Sequence, residues 1–126
     1  YGIEDKVNII NNADENLKYS ILLESDALVL PSISKNEAFG IVQIEAMMCA
    51  KPIIVSNLGN GVNELSTHLH NSLHVKTRSA EALANAYEHF ACNPNHYGIL
   101  AQNSLQTSYQ YEAKLCVSKL NKLRND

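Results

Sequence analysis

Tryptophan is absent from these 126 residues, and cysteine, proline and glycine are sparse at three, three and five. The missing tryptophan does not count against a packed interior. Hydrophobic residues make up 45% of the chain, an ordinary share for a globular protein, and the length is enough for one domain with a real core. The cysteines, Cys49, Cys92 and Cys116, show no paired spacing and fall inside expected helices. That pattern predicts reduced, buried thiols and a cytoplasmic setting. Positive charge is also short. A net charge of −3 argues against a general nucleic-acid surface. No apolar run approaches the roughly 20 residues needed to span a bilayer, and no signal peptide is evident. Internal repeats, low-complexity runs and linkers are lacking too. His68, His70 and His74 have no carboxylate or cysteine at a convincing ligand spacing, so no metal site is expected. The chain opens on Tyr1-Gly2-Ile3 without methionine, which predicts a piece of a larger protein.

What is present centres on residues 27–56. Ala27-Leu28-Val29-Leu30 is a short apolar run closed by Pro31-Ser32. A polar segment leads to Ala38-Phe39-Gly40, a helix-like apolar stretch from Ile41 to Ala50, and a second run, Pro52-Ile53-Ile54-Val55-Ser56. The order is strand, loop, helix, strand. Apolar strands without alternation suit a parallel sheet covered on both faces. A glycine turn into a helix can aim backbone N–H groups at an anion, with the helix dipole behind them. Open parallel sheets take ligands at such strand-to-helix joints. Two carboxylates frame this one, Glu37 before the turn and Glu45 within the helix. From Gly40 to Ala50 the only other polar side chain is that of Gln43. An ionised carboxylate on so apolar a helix is costly unless paired. Either a ligand diol donates to it, or Glu45 lies on an exposed helix edge or accepts bonds from nearby backbone.

The string Glu37-Ala38-Phe39-Gly40-Ile41-Val42-Gln43-Ile44-Glu45-Ala46-Met47 resembles the two-glutamate motif of retaining glycosyltransferases with the GT-B fold, of the family 4 or group 1 type. The accompanying features stand in the same order, with Pro31-Ser32 before the motif and Lys51-Pro52 after it. The resemblance implies an α/β fold: a Rossmann-like parallel sheet flanked by helices, the C-terminal donor-binding domain of a GT-B enzyme lacking its first strands. Residues 1–126 would form that partial nucleotide-sugar-binding domain, with sheet and helices over 1–109 and a terminal amphipathic helix over 110–126.

The rest of the chain is read around this unit. Val7-Asn8-Ile9-Ile10 predicts a strand, where Asn11-Asn12 replace the family's glycine. Asp14 caps a helix running to about Ser25 with Leu17, Ile21 and Leu22 inside. Gly59 and Gly61, two residues apart, make a tight loop, either a wall of the ligand pocket or an ordinary turn before a short helix. Asn71-Ser72-Leu73-His74-Val75 occupies the place of the family's Asn-Gly-Leu-Leu-Val strand, with Ser72 for glycine and His74 for an apolar residue. Ser79 caps a helix with Leu83, Ala84, Tyr87 and Phe90 as its apolar stripe. Helices over 95–108 and 111–124 follow. The last has Ala113, Cys116, Val117 and Leu120 on one face and Lys114, Lys119, Lys122 and Arg124 on the other. Those cations either meet anionic lipid at the inner membrane face or are simply solvated near a helix C-terminus.

By the same resemblance, the parent protein transfers a hexose from a UDP- or GDP-sugar to a glycan or lipid-linked acceptor with retention, in the synthesis of cell-surface polysaccharide such as lipopolysaccharide. Glu37 holds the donor sugar's hydroxyls and steadies charge developing on its ring. Glu45 holds the ribose hydroxyls. Ala38, Phe39, Gly40 and Ile41 line the sugar and phosphates, with Asn60 and Gly61 on a second wall. No metal or other cofactor is implied. The partner of this half is the missing N-terminal domain, and the fragment alone is expected to be inactive. Without its first strands the sheet has an uncovered edge, which invites a homodimer. The alternative is a non-catalytic nucleotide-sugar-binding or interaction module. A flavodoxin-like receiver domain fits poorly, because Asp26 lies at the wrong end of its strand.

Overall fold

Three short strands form one parallel sheet in the order β1-β2-β3: β1 is Leu28–Leu30, β2 Ile53–Ser56 and β3 Ser72–Val75. Leu28 pairs with Ile53, and Ile53 with Ser72. The structure, a computed structural model, describes residues 2–34, 41–59 and 62–125, with backbone alone at 62, 114–119 and 122. Helix α1 spans Glu15–Glu24, α2 Ile41–Met48, α3 Val62–Leu65, α4 Ala80–Cys92 and α5 Pro94–Asn125.

Strand β2 sits centrally and every one of its residues is buried. Alternate side chains enter two separate cores, as the strand's two-residue period requires. On one face Ile53 and Val55 pack with Ile44 and Met47 of α2 and Leu65 of α3, flanked by Leu28, Leu30 and Tyr111. On the other, Ile54, Leu73 and Val75 meet Ala86 of α4 and Leu100 of α5, flanked by Val29, Ala82, Leu83 and Phe90. Each fully buried Ile or Val contributes about 1.5–3 kcal/mol. This is the expected α/β architecture, a parallel sheet with helices on both faces.

Local signals set the helix ends. Asp14 Oδ1 accepts the Leu17 amide at 2.8 Å and starts α1, while Ser79 Oγ accepts the Ala82 amide at 3.0 Å and starts α4. Helix α2 ends in a Schellman turn: Ala50 takes φ 57°, its amide reaches Met47 O, and the Lys51 amide reaches Ala46 O at 3.0 Å. Pro52 then prevents the helix from continuing.

Helix α5 binds the layers together at the amino-terminal ends of the strands. Tyr97 donates its hydroxyl to Asp26 O at 2.6 Å, next to β1. Burial pushes that phenol's pKa up, and Asp26 adds to the rise. Farther along, Asn103 Nδ2 donates to His70 O at 2.8 Å and Ser104 Oγ to Asn71 O at 3.1 Å, before β3. Farther still, the Tyr111 hydroxyl donates to Glu64 O at 3.1 Å on the α2 side.

Several expectations are corrected. Residues 7–10 form no strand. Val7, Ile9 and Ile10 are exposed, because no neighbour pairs with them among the described residues. In α1 only Leu22 is buried, while Leu17 and Ile21 are exposed, since the helix meets the rest through a narrow contact. Helix α4 is rotated from its expected face. Ala82, Leu83, Ala86 and Phe90 pack inward, while Ala84 and Tyr87 are exposed, because small Ala86 permits close approach to the sheet. The two C-terminal helices are one, unbroken from Pro94 to Asn125. Ala113 and Leu120 on its expected inner face are exposed. Cys49 is half-buried and Cys92 exposed rather than buried, and the Cys116 side chain lies outside the described residues. Among the described residues, strand β1 lies at the sheet's edge and is only half-buried. No described helix is long and apolar enough to cross a membrane.

Candidate functional site

Short connections make each helix run back against its strand. The amino ends of α1, α2 and α4 therefore gather at the carboxyl ends of the strands, where open parallel sheets take ligands. A cleft of about 310 Å³ opens there, lined by Pro31 and Ile33 after β1, Ser56 of β2, Val75 of β3, and Lys76, Arg78 and Leu83 toward α4. Its two cations give this edge positive character. A larger cavity, about 500 Å³ and lined by Asp26, Val29, Phe90 and Tyr97, lies at the opposite, amino end of β1. Its position excludes it as the strand-end site.

Beside this edge, on the α2 face of the sheet, stands Glu45. Ile44, Ala46 and Met47 around it are buried in the sheet's core, which rigidly fixes the helix that carries it. The Glu45 side chain is 16% exposed, so its charge needs a partner. Lys18 of α1 supplies one, with Nζ 3.0 Å from Glu45 Oε1. The same ammonium lies 2.7 Å from Glu15 Oε1. Bonds to Glu15, then Glu45, raise the Lys18 pKa above the ordinary lysine value. Nearby Tyr19 has its phenol pKa pushed up by burial, and the Glu45 charge adds to this. Among the described residues, Glu45 thus meets Lys18 rather than backbone and is mostly withdrawn from solvent, unlike the two non-ligand settings its sequence context suggests. The i to i+3 step from Glu15 makes that pair legible in sequence. The pairing with Glu45, 27 residues away, has no sequence signal.

Of the other expected site residues, Ile41 lies one turn before Glu45 on the same side of α2 and is 68% exposed. Glu37, Ala38, Phe39 and Gly40 lie outside the described residues, as do Asn60 and Gly61. The start of the glycine loop is described. Gly59 has φ +64°, a left-handed conformation that favours glycine, and the space beside it is open. Asn63 pins this turn. Its Oδ1 accepts the amides of Leu58 and Gly59 at 2.7 and 2.8 Å, and its Nδ2 donates to Ser56 O at 3.0 Å. The sequence reading gave Asn63 no role, although an asparagine after a glycine-rich turn is a signal for such a bond.

His68, His70 and His74 serve as backbone partners. His68 Nδ1 accepts the His74 amide at 2.9 Å, and His74 Nε2 donates to Ser66 O at 2.9 Å. His70 extends its main-chain oxygen to Asn103. Burial lowers the His74 pKa, the Ser66 carbonyl partly offsets this, and His68 lowers it further.

Comparison with known proteins identifies the family and the fold. The family described as "Glycosyl transferases group 1" matches residues 1–107. The D-rhamnosyltransferase WbpZ of Pseudomonas aeruginosa is 37% identical over 62 residues, 49% of this chain and 16% of that protein. Sucrose-phosphate synthase of Thermosynechococcus elongatus superposes with a TM-score of 0.78 at 28% identity, over 96% of this chain and 31% of that one. HepE of Anabaena, solved in complex with UDP and glucose, superposes with a TM-score of 0.79 at 21% identity, over 96% of this chain and 33% of its own. The chain thus spans a third or less of the length of each of these proteins.

Proposed function

The chain belongs to the group 1 glycosyl transferases, and from that membership we propose that it is the donor-binding part of an enzyme transferring a hexose from a UDP- or GDP-sugar. The acceptor is a glycan or lipid-linked glycan, the configuration at the transferred carbon is retained, and the product is a cell-surface polysaccharide. The observation that carries this reading is Glu45: a carboxylate on a rigid apolar helix, mostly withdrawn from water, beside the ligand-binding edge of the sheet.

A carboxylate is an acceptor with about four lone-pair sites, of which Lys18 occupies one. The vicinal hydroxyls of a ribose are two adjacent donors and match what remains. In this reading Glu45 holds the ribose, and Ile41, one turn nearer the strand end, lies against the donor. Glu37 and residues 38–40, preceding α2, take the sugar and phosphates. Asn60 and Gly61 form the facing wall. HepE's complex with UDP and glucose supports this class of ligand, and the similarity to a D-rhamnosyltransferase supports glycosyl transfer of a six-carbon sugar. Retention rests on the resemblance of the whole 37–47 string, with Pro31-Ser32 before it and Lys51-Pro52 after it, to the motif of the retaining enzymes.

The test is calorimetric titration of the full-length parent with UDP and GDP, beside Glu45→Ala. One nucleotide binds, and the substitution weakens it at least tenfold, about 1.4 kcal/mol. A folded parent that binds neither nucleotide overturns the transferase reading and favours a non-catalytic module.

A further inference from the structure

We propose that Lys18 is a positioning residue for the donor's ribose, acting through Glu45. The proposal rests on the reading of Glu45 given above and adds a residue that the two-glutamate motif does not contain. Three observations carry it. First, Lys18 Nζ lies 3.0 Å from Glu45 Oε1 and 2.7 Å from Glu15 Oε1, so the ammonium is held between two carboxylates rather than swinging freely. Second, the two partners differ in exposure. The Glu15 side chain is 75% exposed and that of Glu45 only 16%. Glu15 therefore steadies the cation from the solvent side, and Glu45 is the partner whose bond to it water screens less. Third, Lys18 lies in the first turn of α1, and Glu45 lies one turn beyond Ile41, the first residue of α2. The pair therefore stands about one helical turn from the strand-end edge.

The geometry assigns the two carboxylate oxygens different tasks. Oε1 is tied to Lys18, which fixes the plane of the carboxylate and offsets the cost of withdrawing its charge from water. Oε2 and the remaining lone pair of Oε1 are left to accept from the ligand. A carboxylate fixed in this way accepts from two adjacent hydroxyls without first being ordered, so less of the binding free energy is lost on ligand entry. A nucleotide lacking one of those hydroxyls forfeits a hydrogen bond to a charged acceptor. Lys18 thereby contributes to the preference for ribose over deoxyribose without touching the nucleotide.

The experiment compares binding of UDP and GDP with that of their 2′-deoxy counterparts to the full-length parent by calorimetry. The variants are Glu45→Ala, Lys18→Met, Lys18→Gln and Lys18→Arg, each with its unfolding temperature recorded. The parent is expected to prefer the riboside about tenfold, the worth of one hydrogen bond to a charged group. Glu45→Ala abolishes that preference. Lys18→Met and Lys18→Gln narrow it to about threefold or less, and Lys18→Arg, which keeps a cation, restores most of it. If Glu45→Ala abolishes the preference while both neutral Lys18 variants keep it, the proposal is overturned and the ribose reading stands. If neutral Lys18 variants weaken riboside and deoxyriboside equally, Lys18 only fastens α1 to α2, and the proposal is again overturned. If Glu45→Ala leaves the preference intact, the ribose reading itself fails and takes this proposal with it. The two neutral replacements differ in polarity, so a folding defect in one leaves the other to decide.

Discussion

Replacing Asn71 by alanine should cost about 3 kcal/mol, although the side chain is remote from the ligand edge. Asn71 is 1% exposed and joins three parts of the fold. Its Oδ1 accepts the Thr67 amide at 2.8 Å, and its Nδ2 donates to Leu65 O and Thr107 Oγ1, both at 3.2 Å. Alanine strands the Leu65 carbonyl in a buried position, worth about 1–3 kcal/mol. The Thr67 amide lies near solvent and recovers water, so its loss is nearer 1 kcal/mol. Thr107 retains its bond to Asn103 O at 2.8 Å and adds only a fraction. With a urea m-value near 2 kcal/mol/M, the midpoint falls by about 1.5 M. Asn71→Asp should be worse, because it keeps the acceptor, removes both donors and buries a charge facing a carbonyl. Thr107→Val alone should cost about 1 kcal/mol, and less in the Asn71→Ala background, since the two share a bond. Urea unfolding followed by circular dichroism checks all four proteins. A loss below 1 kcal/mol for Asn71→Ala, or full additivity with Thr107→Val, refutes the hub. Nucleotide affinity of the folded variants should be unchanged.

Ala50→Gly relieves a left-handed alanine at φ 57° in the turn closing α2, and should stabilise by about 1 kcal/mol, read as a melting-point rise of about 4 °C; an unchanged or lower melting temperature counts against the strain. Among the described residues the buried Ser72 hydroxyl has no hydrogen-bond partner, so Ser72→Ala should leave thermal stability equal or raise it by up to about 1 kcal/mol. A clear loss would show that the hydroxyl is satisfied in solution. His74 has a folded pKa below its ordinary value of 6.5. The unfolded chain therefore binds the proton more readily, and the contribution of His74, full above pH 6.5, declines as pH falls from there through the folded pKa. His74→Gln keeps an N–H for Ser66 O and should flatten the fall in urea midpoint below pH 6.5. An identical fall in both proteins sinks the assignment.

What could be read from the sequence was local or periodic. The apolar runs at 28–30 and 53–55 are strands because unalternating β-branched and leucine residues suit a doubly covered sheet, whereas Ser72-Leu73-His74-Val75, with two polar residues, is legible as a strand only through the family resemblance. Asp14 and Ser79 announce their helices, because a cap bond spans only three residues. What could not be read depends on which surfaces meet. Val7, Ile9 and Ile10 have the composition of a strand, but a strand exists only beside a partner. Tyr87 looked like a core residue by size, yet close packing against the sheet placed the small Ala86 inside. No breaking residue separates 108 from 111, so the change in amphipathic pattern there marks a change of surroundings along one helix. Of the candidate site, the glutamate on α2 was legible as a charge out of place. Its lysine was not, because the partner lies across two helices.

With the proposed function, stability and binding fall to opposite ends of the same strands. At the amino ends, α5 bonds to Asp26 O, His70 O and Asn71 across the sheet, through contacts distant in sequence. At the carboxyl ends, the described polar contacts are fewer and mostly local: Asn63 with its own loop, and the Lys18–Glu45 bridge between neighbouring helices. Loops fastened only to themselves can vary in length and composition without loosening the core, since the core's polar fastenings lie elsewhere. This predicts how substitutions should sort. Changes at Asn71, Ser104 or Tyr97 should alter unfolding and leave the affinity of the folded protein alone. Changes at Ile41 or Glu45 should alter affinity at little cost to stability, because Ile41 is largely exposed and removing Glu45 leaves a part-exposed Lys18 that keeps its bond to Glu15. A variant of the second group that unfolds the protein, or of the first that selectively weakens nucleotide, would contradict this division of the sheet.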